Sequence, residues 1–304
     1  YRFIDKPDDS AVTMSAILQP HRERTIQRMK AQKTVLCIQD GSDLNYSPLA
    51  RCEGLGFIGT NQTGKKSKGL HLHSTFAVTS SGLPLGVLRA ECKAREQRSQ
   101  EDRRALSAIP IEEKNTFSWI QGVRDCMEIK QLMPHTSLIS VMDREADFFE
   151  IFDDQRRKSS RVDLLIRAQH NRKTMGEHKL FEEVMQSPVR SRITIKIPRQ
   201  SARVKKKNQK ARNKRAARIA EVTVRYIRTE LKPPPYFQEM PPISLWIIHV
   251  KEEKPPAGTK AVEWFLLTTI DLQSPSDALN CIAWYCLRWR IEDWHRVLKS
   301  GCGV

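Results

Sequence analysis

Three acidic residues far apart in the chain offer the clearest chemistry: Asp40, Asp143 and Glu292. Asp40 follows the apolar run Thr34-Val35-Leu36-Cys37-Ile38, and Asp143 follows residues 136–142, with Leu138, Ile139, Val141 and Met142. Both runs read as buried strands that deliver an acid at their C-terminal ends, where α/β sheets place their sites. Two neighbouring parallel strands would bring the carboxylates together, and Glu292 on a packed helix would complete the set. Phosphodiester cleavage and strand transfer need an attacking oxygen activated and a leaving oxygen stabilised. Two Mg²⁺ ions about 3.5–4 Å apart do both. Mg²⁺ takes carboxylates, waters and phosphate oxygens, so the expected cofactor is a two-metal Mg²⁺ site, with Mn²⁺ as a substitute.

The segment around Glu292 predicts one amphipathic helix. At about 100° per residue, Tyr285, Arg288, Glu292 and Lys299 share an arc roughly 60° wide. Trp284, Leu287, Ile291, Trp294 and Leu298 form the adjacent apolar stripe. Such a row would let a carboxylate hold a metal while cations beside it hold phosphate oxygens. An ordinary amphipathic helix with solvated charges has the same pattern.

The elements that must position these residues are legible in outline. A helical stretch near 22–30 precedes the first strand. Residues 54–69, rich in Gly, Thr, Asn and Lys, read as a loop, and residues 70–79 and 83–91 as a hairpin about Ser80-Ser81-Gly82. Residues 93–111 read as a charged, exposed linker, and Phe117, Ile120, Val123, Cys126 and Met127 mark a helix. A third buried strand spans 162–166 and closes on Arg167. Residues 192–197, 221–226, 243–250 and 262–269 alternate as further strands, and Ser274 to Asp277 has the chemistry of a helix N-cap.

Charge is unevenly spread. The 304 residues carry a net +17, yet residues 190–218 hold 13 Lys or Arg, and no acid lies between Glu183 and Glu221. Without that stretch 39 basic residues face 35 acidic ones. A segment of this kind is a solvated loop that can order on a polyanion, and nucleic acid is its natural partner. Seven cysteines without a CxxC pair read as free thiols in a reducing cytosol. No apolar run is long enough to span a bilayer, no Gly-rich phosphate loop is present, and His71-x-His73 has no third ligand at zinc spacing. Tyr1 is no initiator and Val304 closely follows a helical pattern, so a piece of a longer chain is expected.

Asp143-Arg144-Glu145-Ala146-Asp147 and the spaced set Tyr285-x2-Arg288-x3-Glu292-x6-Lys299 resemble the DREAD and YREK signatures of DDE transposases of the transposon-five type. Ile38-Gln39-Asp40 with Leu44-Asn45-Tyr46 is similar to the family's first-aspartate motif, although Gly41-Ser42 stands where relatives often have Thr-Thr. The resemblance implies an α/β fold: an RNase H-like core with a mixed sheet, interrupted by a β-rich insertion. It implies a connecting helical segment (1–32), a first core part (33–168), a basic insertion (169–270) and a core helix carrying Glu292 (271–304). It implies a bacterial, cytoplasmic, nucleoid-associated enzyme that nicks transposon ends, forms and resolves hairpins, and transfers strands into target DNA as a homodimer in a synaptic complex. Asp40, Asp143 and Glu292 would be the catalytic metal ligands. Tyr285, Arg288 and Lys299 would grip phosphates of the end DNA, Trp264 would stack on a flipped base, and Arg167, Arg172 and Lys173 would contact DNA. The alternatives are a non-catalytic or repurposed DNA-binding protein, or another RNase H-like nuclease.

Overall fold

The computed structural model describes residues 10–49, 51–60, 64–95, 109–158, 161–197, 199 and 216–302. Most of the basic run and of the charged segment 93–111 therefore lies outside the described residues.

Apolar runs predicted to be buried form the centre of the sheet. Strand β1 (Thr34–Asn45) pairs in parallel with β5 (Ser137–Met142), and β5 in parallel with β6 (Asp163–Arg167). On its other edge β1 pairs antiparallel with β3 (Lys66–Thr79), and β3 antiparallel with both β2 (Gly56–Thr60) and β4 (Pro84–Lys93). The order β4-β3-β1-β5-β6, three antiparallel strands followed by two parallel additions, is the topology of an RNase H-like core. Its sheet continues through β10 (Glu263–Thr268), β9 (Ile243–Lys251), β8 (Arg218–Leu231) and β7 (Ser191–Ile197), all antiparallel. The β-rich segment after β6 thus extends the core sheet, giving ten strands in one mixed sheet.

Side chains alternate across a strand, and the two faces have separate cores. One packs beneath α1 (Met14–Lys30), α2 (Phe117–Gln131), α3 (Phe149–Arg157) and α4 (Leu180–Gln186), through Cys37, Trp119, Leu138, Phe152 and Ile166 among others. The second, with Leu36, Ile38, Val141, Leu165 and Leu266, packs beneath α5 (Pro275–Cys286) and α6 (Trp289–Arg296). Two glycines permit close approach. A Cβ at Gly86, whose φ is +140°, would lie 2.2 Å from the Thr25 hydroxyl of α1. One at Gly122 would lie 2.2 Å from Oε1 of the fully buried Gln39, so α2 can sit directly on β1 only without a side chain there.

Three sequence expectations need correction. First, β1 does not end at Asp40. Its parallel pairing with β5 stops at Ile38, but β3 is long enough to partner it as far as Asn45. Second, residues 54–69 are not all loop: β2 and the start of β3 form a hairpin arm there, with a register shift between Phe57 and Gly59. Third, the helix carrying Glu292 is not continuous. It breaks at Leu287-Arg288, where Leu287, Arg288 and Arg290 donate backbone N–H groups three residues back, and it widens into a π turn over Val297–Gly301.

Candidate active site

The strand register aligns the predicted residues in one row. Ile38 pairs with Val141, so Asp40 and Asp143, each two residues further, stand at the same level, Asp40 within β1 and Asp143 just past the end of β5. Met142 pairs with Ile166, which sets Asp143 beside Arg167. Arg167 pairs with Leu266 on β10, two residues from Trp264. Alternation turns Asp40, Asp143, Arg167 and Trp264 toward the face that α5 and α6 cover, the face of Ile38, Val141, Leu165 and Leu266.

Each acid is held locally. The Gly41 N–H donates to Oδ1 of Asp40 at 2.9 Å. Asp143 caps a short 3₁₀ turn at 144–146, its Oδ1 accepting from the Glu145 N–H at 2.8 Å. At the start of α5, Oδ2 of Asp277 accepts from the Ser274 N–H at 2.8 Å, the capping chemistry expected there.

Arg288 stands between two of the acids. Its Nη1 donates to Oδ2 of Asp40 at 3.1 Å, and its Nη2 donates to Oε1 of Glu292. The Asp40 carboxyl is pushed up to about 6 from 3.8. Burial is the main cause, Asp143 and Glu292 add repulsion, and Arg288 and the Gly41 N–H oppose them. Asp40 therefore feels the charge of both other carboxylates, an effect that a nearby cation would relieve. Among the described residues no three acidic, His or Cys side chains converge as a ready-made cage for one ion.

Tyr285 is buried, 7% exposed, rather than lining an open polar arc. Burial raises its hydroxyl above the usual range, Asp143 raises it further, and Arg288 and a hydrogen bond with Arg167 oppose that shift. The Trp264 ring meets Tyr285 edge-on, centroids 6.0 Å apart. Lys299, in the π turn, acts on Asp43 of β1, where His71 chiefly holds the Asp43 carboxyl below its ordinary range.

Arg172 and Lys173 do not join this group. Arg172 donates to the carboxylate and the backbone carbonyl of the buried Asp147. Lys173 takes part in a backbone bridge with Lys179. Asp147 is a residue whose role the sequence reading missed. Its Oδ2 also accepts from the N–H groups of Gln169 and His170, at 2.6 and 2.9 Å. The last acid of the Asp143–Asp147 string thus ties the segment after β6 to the turn that carries Asp143. No pattern in the sequence pairs Asp147 with residues more than 20 positions away.

The histidine pair has no joint role. His71 Nδ1 lies 2.8 Å from Oδ1 of Asp43. His73 is buried against Trp119, ring centroids 4.8 Å apart, and burial drives its pKa down to about 3. All seven cysteines are free thiols. Among the described residues no helix is long and apolar enough to cross a membrane.

No family model matches the chain. Among solved structures, a piggyBac transposase in its synaptic complex with hairpin DNA is similar over 95% of this chain and 47% of that one, with a TM-score of 0.41 and 8% identity. The present chain spans about half the length of that protein.

Proposed function

We propose that this chain is the catalytic core of a DDE transposase, which cleaves DNA at transposon ends, forms and resolves hairpins there, and joins the ends to target DNA. The observation that carries the reading is the carboxylate row. Asp40 and Asp143 stand at one level on adjacent parallel strands, and Asp143 and Glu292 add their repulsion to the burial that raises Asp40. A structural acid is normally placed beside donors that lower its pKa. Arg288 answers part of that repulsion, and a bound metal cation would answer the rest.

The donor set is made of hard carboxylate oxygens, which suits Mg²⁺ and Mn²⁺, and Asp40, Asp143 and Glu292 are the residues that would hold them. Such ions, when bound, would supply Lewis-acid activation of the attacking water or hydroxyl oxygen and stabilisation of the leaving oxygen. The remaining work falls to the chain's own side chains. Arg288 and Lys299 would hold phosphate oxygens of the end DNA, Arg288 by exchanging carboxylate for phosphate through the same planar fork. Tyr285, fixed by Arg167, would orient the phosphate that Arg288 holds. Trp264, half-buried and edge-on to Tyr285, presents an aromatic surface beside the row for a base leaving the stack. A homodimer in the synaptic complex and a place on the bacterial nucleoid follow from the same reading.

The test is Mg²⁺-dependent nicking of a duplex bearing the transposon end. Asp40→Asn, Asp143→Asn and Glu292→Gln should each abolish nicking while DNA affinity changes little. Nicking that survives in any one of the three at physiological Mg²⁺ would overturn the assignment. Linear ends that never pass through a hairpin would favour another RNase H-like nuclease.

A further inference from the structure

A second site adjoins the turn that follows Asp143. Asp147, where that turn ends, lies on the wall of a pocket of about 780 Å³, within the usual size range of small-ligand sites. Its wall joins the entry to α3, the segment after β6 and the 232–238 segment between β8 and β9.

The chemistry of the wall is one-sided. Asp147 is the one carboxylate on it, and Arg172 neutralises it from within. Lys173, Lys232 and His170 are exposed, and among the described residues their side chains meet no acid. Among the described residues nothing supplies the two lysines with opposite charge, and an anionic ligand would. Pro233, Pro234 and Pro235 form a stiff stretch without backbone N–H groups. Beyond them the Tyr236 ring is 47% exposed although it touches Phe237, ring centroids 4.9 Å apart. An exposed aromatic ring on a rigid proline wall, beside free cations, offers a flat face and anion donors at once. Phe148, half-buried, adds apolar surface.

We propose that this pocket binds one or two nucleotides of single-stranded DNA, a base stacked on Tyr236 and the proline wall, the flanking phosphates held by Lys173 and Lys232. A flat ring joined to an anion is what the wall complements, and only an unpaired strand exposes base faces, since duplex bases are stacked on each other. The assignment rests on the DNA reading of the carboxylate row, to which the pocket is joined by the short turn that Asp143 opens and Asp147 closes. It was not legible in the sequence, because the lysines are 59 positions apart and meet through the backbone pairing of residues 173–175 with the end of β8.

The test compares binding of a labelled mixed-sequence oligonucleotide of about 12 nucleotides with that of its blunt duplex, by anisotropy, using the full chain without divalent cation. Tyr236→Ala should weaken single-strand binding about thirtyfold, the middle of the range for loss of one base–aromatic stack, and Tyr236→Phe should retain it. Lys173→Gln and Lys232→Gln should each lower the log–log salt slope for the single strand by about 0.7. Duplex affinity should change less than about twofold throughout. Unchanged single-strand binding, or equal loss on the duplex, would overturn the proposal. So would displacement of the oligonucleotide by polyglutamate at equal charge, which would mark a site for acidic protein segments. Asp143→Asn separates the two readings: it should abolish nicking and leave single-strand binding intact. If wild type does not nick but the pocket variants behave as stated, the carboxylate reading alone fails.

Discussion

Replacing Asp40 by Asn should stabilise the fold while removing its chemistry. The Asp40 carboxyl is pushed up to about 6 against an ordinary 3.8. A raised carboxyl pKa means the folded state holds the proton more tightly than the unfolded chain does. Its contribution is therefore fully present below about pH 4 and is lost as pH rises through about 6. At pH 8 the wild type carries the whole cost of an ionised Asp40. Roughly two pKa units at 1.36 kcal/mol each make that cost about 3 kcal/mol. Only 18% of the Asp40 side chain is exposed, so solvent screening removes little of it. Asn keeps the shape and the acceptor but not the charge. Urea unfolding of both proteins from pH 4 to 8 should show Asp40→Asn more stable by about 3 kcal/mol at pH 8, with the gap closing between pH 6 and 4. Typical surface substitutions stay within about 0.5 kcal/mol, so the effect stands clear of background. A gap that is flat with pH, or a variant less stable at pH 8, would refute the reasoning. Mg²⁺ gives an independent arm: at pH 8 it should raise the wild-type midpoint and not that of the variant, through preferential binding to the folded state.

Three further outcomes follow from particular contacts. Asp147→Ala strands Arg172 and two backbone N–H groups and should cost about 3–5 kcal/mol, read as a fall in the urea midpoint at constant slope. Gly122→Ala drives a methyl group against Gln39 Oε1 and should cost about 1–3 kcal/mol; a Gly122→Ala/Gln39→Ala double variant should recover part of it, and no recovery would argue against the contact. Trp264→Ala should leave first-strand nicking nearly unchanged and slow hairpin formation about tenfold, from the loss of one stacking surface, as resolved on denaturing gels; equal slowing of both steps would remove the base-stacking role.

The central strands were readable because they are buried on both faces and so appear as unbroken apolar runs. The helix α2 was readable from its period, and Asp143 was placed at its strand end from local pattern alone. The readings that failed depended on partners distant in sequence. Gly41-Ser42 is a turn signal in isolation, yet it continues β1 because His73 and Leu72 stand opposite to pair with it. Gly56 to Thr60 is broken by two glycines, and pairing with the start of β3 makes it a strand. The four strands after β6 were each visible by alternation, but nothing local states that β10 adds to the edge of β6 and so brings Trp264 to within two residues of the position opposite Arg167.

The interrupted helix shows why the candidate site is more than a helix face. On one straight helix Tyr285, Arg288 and Glu292 would share a stripe and a similar exposure. Instead Tyr285 is 7% exposed and the Glu292 side chain 57%. The break at Leu287-Arg288 separates α5, whose end is sunk into the core beside Trp264, from α6, whose start faces outward. Arg288 occupies that break and has donors for both sides: one carboxylate four residues along its own helix, the other 248 residues away on β1. A regular helix could not hold Tyr285 beneath the surface and present Glu292 above it. That separation leaves Arg288 at the junction of the buried and open halves of the site. A phosphate entering from solvent would reach Glu292 and Arg288 first, and Asp40 only once Arg288 has turned from the carboxylate to the phosphate.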